Sequence, residues 1–184
     1  MYRDLEPLMV STITASADPI PGTIETVERL RKTGIRVGST TGYSGPVMKV
    51  LQEWAARHGF APDAVVCSTD VPAGRPAPHM CHLNTIRLGV YPFHACIKVG
   101  DTPVDIEEGL NAGMWTVGVT RTGSEVGLPE AEVAALPPEI LREKLQKAER
   151  RLYGVGAHYV IEGVWETLPV VESVNQRLAR GERP

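Results

Sequence analysis

Two carboxylates four residues apart carry the first chemical signal: Asp101 and Asp105, in Ile97-Lys98-Val99-Gly100-Asp101-Thr102-Pro103-Val104-Asp105. The apolar, β-branched residues of His94–Val99 read as a buried strand that Gly100 ends. A helix starting near Thr102 would put Asp101 at its cap and Asp105 on the same edge of its first turn. Carboxylates at the carboxyl end of a strand suit a hard cation such as Mg²⁺. The plainer alternative is that Asp101 only caps the helix and Asp105 only complements its dipole. Ser39-Thr40-Thr41-Gly42 offers hydroxyls and a flexible backbone just before another helix, where unpaired N–H groups and the dipole attract an anion. Serine and threonine are also ordinary turn residues. Gly74-Arg75-Pro76 holds a guanidinium in a loop stiffened by prolines; its fork of donors suits a phosphate, or else it is a solvated surface arginine. Together these residues make a coherent set for a phosphoryl group with Mg²⁺.

The elements that must position them alternate. After the breaker Pro19-Ile20-Pro21-Gly22, Thr23 caps a helix carrying Ile24, Val27 and Leu30 and ending at Gly34. Strands are expected at Ile35–Ser39, Ala64–Cys67, His94–Val99, Trp115–Val119 and His158–Ile161. Between them run helices with apolar stripes: Val47, Val50, Leu51 and Trp54; Met80, Leu83 and Ile86; Ile106 and Leu110. Thr120–Pro138 reads as a long polar connection. A charge-laced helix with Ile140, Leu141, Leu145 and Leu152 follows it, and Val164–Leu178 is the last helix. Strands alternating with helices give a parallel sheet covered on both faces, an α/β fold. Ligands bind such sheets at the carboxyl ends of the strands, where all three polar loops fall.

The totals narrow the function classes. A chain of 184 residues with 42% hydrophobic and 22% charged residues is that of an ordinary globular domain. A net charge of -3 and the lack of a basic run give no footprint for nucleic acid. No apolar stretch is long enough to span a bilayer, and Met1–Val10 has no signal-peptide pattern. Cys67, Cys81 and Cys96 are odd in number and widely spaced, as expected of thiols in a reducing cytoplasm. His79, Cys81 and His82 lack a second ligand pair for zinc. Trp54, Trp115 and Trp165 read as core, and Cys96 as a small core residue.

The three polar segments resemble the motifs of the haloacid dehalogenase superfamily. Ile35-Arg36-Val37-Gly38-Ser39-Thr40-Thr41-Gly42 is similar to its second motif, Arg75 to its third basic residue, and Val99-Gly100-Asp101-Thr102-Pro103-Val104-Asp105 to its acidic fourth. Four segments look specific to its phosphonoacetaldehyde hydrolase (phosphonatase) family: Val37–Tyr43, Asp70–Pro76, Ile97–Thr102 and Asn111–Val119. The resemblance implies a Rossmann-like, three-layered fold. It makes Thr41, Gly42 and Arg75 phosphate ligands, Asp101 a Mg²⁺ ligand and Asp105 a residue that orders the metal site. The implied reaction cleaves a small phosphonate to acetaldehyde and phosphate. A lysine imine accepts the electrons of the C–P bond while an aspartate takes the phosphoryl group.

Two parts of that pattern find no match. No strand followed by Asp-x-x-x-Thr occurs in Met1–Gly22, and the helical cap with the imine-forming lysine is not found. Residues 1–18 are expected to be a remnant of the cap and its linker, and 19–184 an incomplete core. The absent strand belongs between the strands at Ile35 and Ile97, so the chain alone is expected to be inactive. The partner expected is a small phosphonate or phosphate ester, without nucleic acid or membrane; the family's dimer contacts lie in the cap. Two alternatives stay open: another phosphatase of the same superfamily, and a non-catalytic phosphate- or Mg²⁺-binding module.

Overall fold

Alternation along the strands decides which face of each one meets which helix. The computed structural model describes residues 17–184, so the expected cap remnant lies almost entirely outside the described residues. The order is α1 (Thr23–Lys32), β1 (Gly38–Thr41), α2 (Gly45–Arg57), β2 (Ala64–Cys67), α3 (His79–Leu88) and β3 (Ile97–Gly100). There follow α4 (Pro103–Asn111), β4 (Trp115–Val119), α5 (Glu130–Ala135), α6 (Pro138–Gly154), β5 (Tyr159–Ile161) and α7 (Thr167–Ala179). No helix among the described residues is long and apolar enough to cross a membrane.

All strand pairings are parallel, as an alternating chain requires. They form two ladders: β1 with β2, and β3-β4-β5 with β4 in the centre. Among the described residues no ladder joins β1 to β3. The break falls where the resemblance implies one more strand.

In the larger ladder, Trp115, Val117 and Val119 of β4 turn to one face with Ile161, Val170 and Val174, so α7 covers that side. Helix α1 packs beside α7. The opposite face takes Ile106, Leu152 and Ala157, which bring in α4 and α6. Helix α3 lies against β1 and β2. With helices on both faces, the arrangement has the three layers expected.

Several boundaries differ from expectation for identifiable reasons. The first strand pairs over Gly38–Thr41 rather than Ile35–Ser39. Val37 donates its N–H to the Asp63 carboxylate at 2.8 Å and accepts from the Asp63 N–H at 2.7 Å, so that side chain serves the backbone ahead of the ladder. The Val37 N–H bond is also the main reason the Asp63 carboxyl sits below its usual value. The third strand starts at Ile97, after a 3₁₀ turn over Phe93–Ala95, and half-buried Cys96 precedes it. The connection Thr120–Pro138 contains α5, whose Val133 is buried with Val126 and Ala148. Ile86 and Trp165 are exposed rather than core, at 69% and 38%, whereas Trp115 is fully buried.

Candidate functional site

Gly100 lets α4 turn back onto the end of β3: a Cβ added there would lie 2.2 Å from the Cβ of Asp105. No side chain fits at that distance, so glycine is required by close approach. Thr102, not Asp101, is the N-cap, and Pro103 takes the first turn. Thr102 and Asp105 form a capping box: Asp105 Oδ2 accepts from the Thr102 N–H at 3.2 Å and from its hydroxyl at 2.6 Å.

Asp105 faces inward and is 3% exposed. Its Oδ1 lies 3.0 Å from Arg75 Nη1 and 3.3 Å from Lys98 Nζ. Burial pushes the carboxyl up, but Lys98, the Thr102 bond and Arg75 outweigh it and hold it below the ordinary value of 3.8. Asp101 turns the other way, toward the loop after β4. Its Oδ2 accepts from the Ser124 N–H at 2.8 Å and from the Ser124 hydroxyl at 2.5 Å. The two acids therefore start one helix but face different partners.

Arg75 is brought across from the loop after β2. It donates from Nη2 to the Thr40 carbonyl at 2.7 Å, and its Nε lies 3.3 Å from Glu108 Oε2. The guanidinium thus touches the end of β1 and two carboxylates of α4, and is 23% exposed at the side chain. Thr41 ends β1 and its hydroxyl accepts from the Tyr43 N–H at 3.2 Å, curling the Gly42 turn toward α2. The Ser68 hydroxyl donates to the carbonyls of Gly42 and Tyr43 at 2.9 and 3.2 Å, tying that turn to the end of β2. Arg75 and the acids of α4 thus meet at the carboxyl end of β1, beside the Thr41–Gly42 turn.

Two residues of this cluster carried no sequence expectation. Lys98 on β3 and Glu108 on α4 are buried, and they pair at 2.7 Å. Lysine in an apolar strand reads as a surface residue until one counts faces: Ile97 and Val99 meet α7, so Lys98 must point at α4. That alternation was the available signal.

The fit to Mg²⁺ can be tested on these donors. Asp105 has both oxygens engaged by Thr102, Arg75 and Lys98, and one oxygen of Asp101 is engaged by Ser124. Among the described residues no group of three or more His, Cys, Asp or Glu side chains could hold a metal ion. The described residues do not make a Mg²⁺ site by themselves. Of His79, Cys81 and His82, for which no zinc site is expected, Cys81 is buried with its thiol pushed up to about 12, and His82 stacks on Phe93 at 4.4 Å.

A family model described as haloacid dehalogenase-like hydrolase matches residues 2–113. The chain belongs to that family. All of it aligns with the phosphonoacetaldehyde hydrolase of Nitratidesulfovibrio vulgaris at 51% identity over 184 residues, covering 66% of that relative. It is 45% identical over 182 residues to the phosphonoacetaldehyde hydrolase of Bacillus cereus, covering 99% of this chain and 67% of that one. The crystal structure of a phosphonoacetaldehyde hydrolase-like protein from Oleispira antarctica superposes with a TM-score of 0.97 at 42% identity, covering 100% of this chain and 66% of the other. This haloacid dehalogenase-like chain thus spans about two thirds of the length of the relatives it matches, and is phosphonatase-like throughout.

Proposed function

We propose that this chain is the phosphate-binding side of a C–P bond hydrolase acting on phosphonoacetaldehyde or a close analogue. One observation carries the reading: Arg75 meets the carboxyl end of β1 while paired to two acids of α4. A guanidinium held in that way is oriented before an anion arrives, so little freedom is lost on binding. The Thr41–Gly42 turn, leading into α2, supplies backbone donors and a helix dipole to the same anion. Asp101 is the acid through which Mg²⁺ would join the site, and Asp105 orders it from behind through Arg75.

The family's reaction also needs a nucleophilic aspartate and an imine-forming lysine, for which we assign no residue among the 184. Phosphate binding without turnover is therefore the behaviour expected of this polypeptide. Isothermal titration with inorganic phosphate should give saturable binding that Arg75→Gln removes. Incubation with phosphonoacetaldehyde should release no acetaldehyde. Release that Asp101→Ala abolishes would overturn the second half of this reading, and phosphate binding unaffected by Arg75→Gln would overturn the first. For this reading and for a non-catalytic phosphate-binding module alike, Mg²⁺ alone should show no saturation.

A further inference from the structure

We propose that Lys98 and Glu108 are a positioning pair that fixes the guanidinium of Arg75, an inference that deepens the reading of Arg75 as the phosphate-binding cation. Lys98 Nζ donates to Thr40 Oγ1 and to Glu108 Oε2, each at 2.7 Å, and stands 3.3 Å from Asp105 Oδ1. An ammonium has three N–H donors, so these three acceptors saturate it and leave none for a ligand. Its side chain is only 9% exposed. Lys98 is thus spent on the cluster.

Glu108 is fully buried, and its Oε2 gathers Lys98 Nζ, Arg75 Nε and the Thr40 hydroxyl, the last two at 3.3 Å. The four charges balance, two positive and two negative, but the balance does not complete the hydrogen bonding. Arg75 Nε is buried without a hydrogen-bond partner, and beyond these donors Glu108 meets the weak thiol donor of Cys81. A cluster built for stability alone would not leave such an atom at its centre, since it forfeits its solvation for no bond. Apolar residues of the same volume commonly replace buried ion pairs at no loss of stability. What they could not replace is the placement of Arg75: Glu108 meets its Nε end, while Lys98 holds Glu108, Asp105 and Thr40 around it.

The double variant Lys98→Met/Glu108→Leu removes one charge of each sign, so Arg75 and Asp105 remain balanced. It is expected to stay folded, with a melting temperature near the wild type's, while phosphate affinity falls about tenfold or more. The Arg75 Nε–Hε NMR cross-peak, distinct in the wild type, should collapse onto those of exposed arginines. The single variant Glu108→Gln keeps the shape and should move the same cross-peak. A double variant that binds phosphate as the wild type does, with an unmoved Arg75 signal, overturns the proposal. If the double variant fails to fold, Glu108→Gln decides: an unmoved Arg75 signal overturns the proposal, and a moved one supports it. Arg75→Gln separates the two ideas. If it leaves phosphate binding intact, Arg75 is not the phosphate cation, and the cross-peak alone then reports whether the pair holds the guanidinium.

Discussion

Asp105 shows how one side chain can serve fold and site together. One oxygen closes the capping box with Thr102 and the other compensates the buried Lys98 and the half-buried Arg75. Asp105→Asn would leave Arg75 and Lys98 facing Glu108 alone, and a buried charge without compensation costs about 3 kcal/mol. Urea unfolding at neutral pH should show that loss. The sign with pH follows from the lowered carboxyl: the stabilisation is complete above 3.8 and lost as pH falls through the folded value, so variant and wild type should converge in acid. His158 works in a different range. Its Nδ1 accepts from the Thr116 N–H at 3.1 Å, and burial, then Arg177, depress its pKa below 6.5. The neutral ring is the one that fits, so its stabilisation is present above pH 6.5 and declines as pH falls below it. Thermal melts at pH 7.5 and 5.5 should show a drop that His158→Gln reduces; equal drops would refute the assignment.

At the scale of elements, α4 lies too close to the sheet for any side chain at Gly109. A Cβ on Gly109 would lie 2.6 Å from Thr116 Cγ2 and 2.8 Å from Lys98 Cβ. Gly109→Ala must push α4 off β3 and β4 and should cost about 1–3 kcal/mol of overpacking. It should also weaken phosphate binding, because Asp105 and Glu108 ride on that helix; unchanged stability would show that α4 has room to shift. Such a contact is invisible in sequence, where Gly109 is one glycine among eighteen. Periodic signals did read well: β2 and β4 begin and end where the apolar runs do. Signals that depend on a distant partner did not. Asp63 displaces the start of the first ladder, and α5 buries Val133 from a stretch of six residues, too short to show a helical apolar stripe. The loops Ser39–Gly42, Gly74–Pro76 and Gly100–Asp105 were legible as chemistry because their residue types are unusual together. Lys98 and Glu108 were not, since a lysine and a glutamate look solvated until the two faces of β3 and α4 are known.

At the scale of the whole molecule, the break between β1 and β3 sets the mechanics. Among the described residues the two halves are joined by side chains instead of a ladder. Arg75 reaches Asp105 and Glu108, Lys98 reaches Thr40, and the Asn111 amide donates to the Pro76 carbonyl at 2.9 Å. Cys81 of α3 packs on Ala112 and Met114 beside β4, with Phe93 and Cys96 around them. These polar links, the small apolar contact and the packing of α1 on α7 resist opening less than a continuous sheet does. The β1-β2 half should therefore separate from the larger ladder without global unfolding. Native-state hydrogen exchange should show the amides of Thr40 and Val66 exchanging through a smaller opening free energy than that of Val117 in β4. Cys81 gives a second probe, because a buried thiol with a pKa near 12 reacts only when the contact opens. Its alkylation should follow the Thr40 amide rather than the Val117 amide. If all three sites exchange with the global unfolding free energy, the side-chain links hold the halves as firmly as a ladder would, and the break has no mechanical consequence.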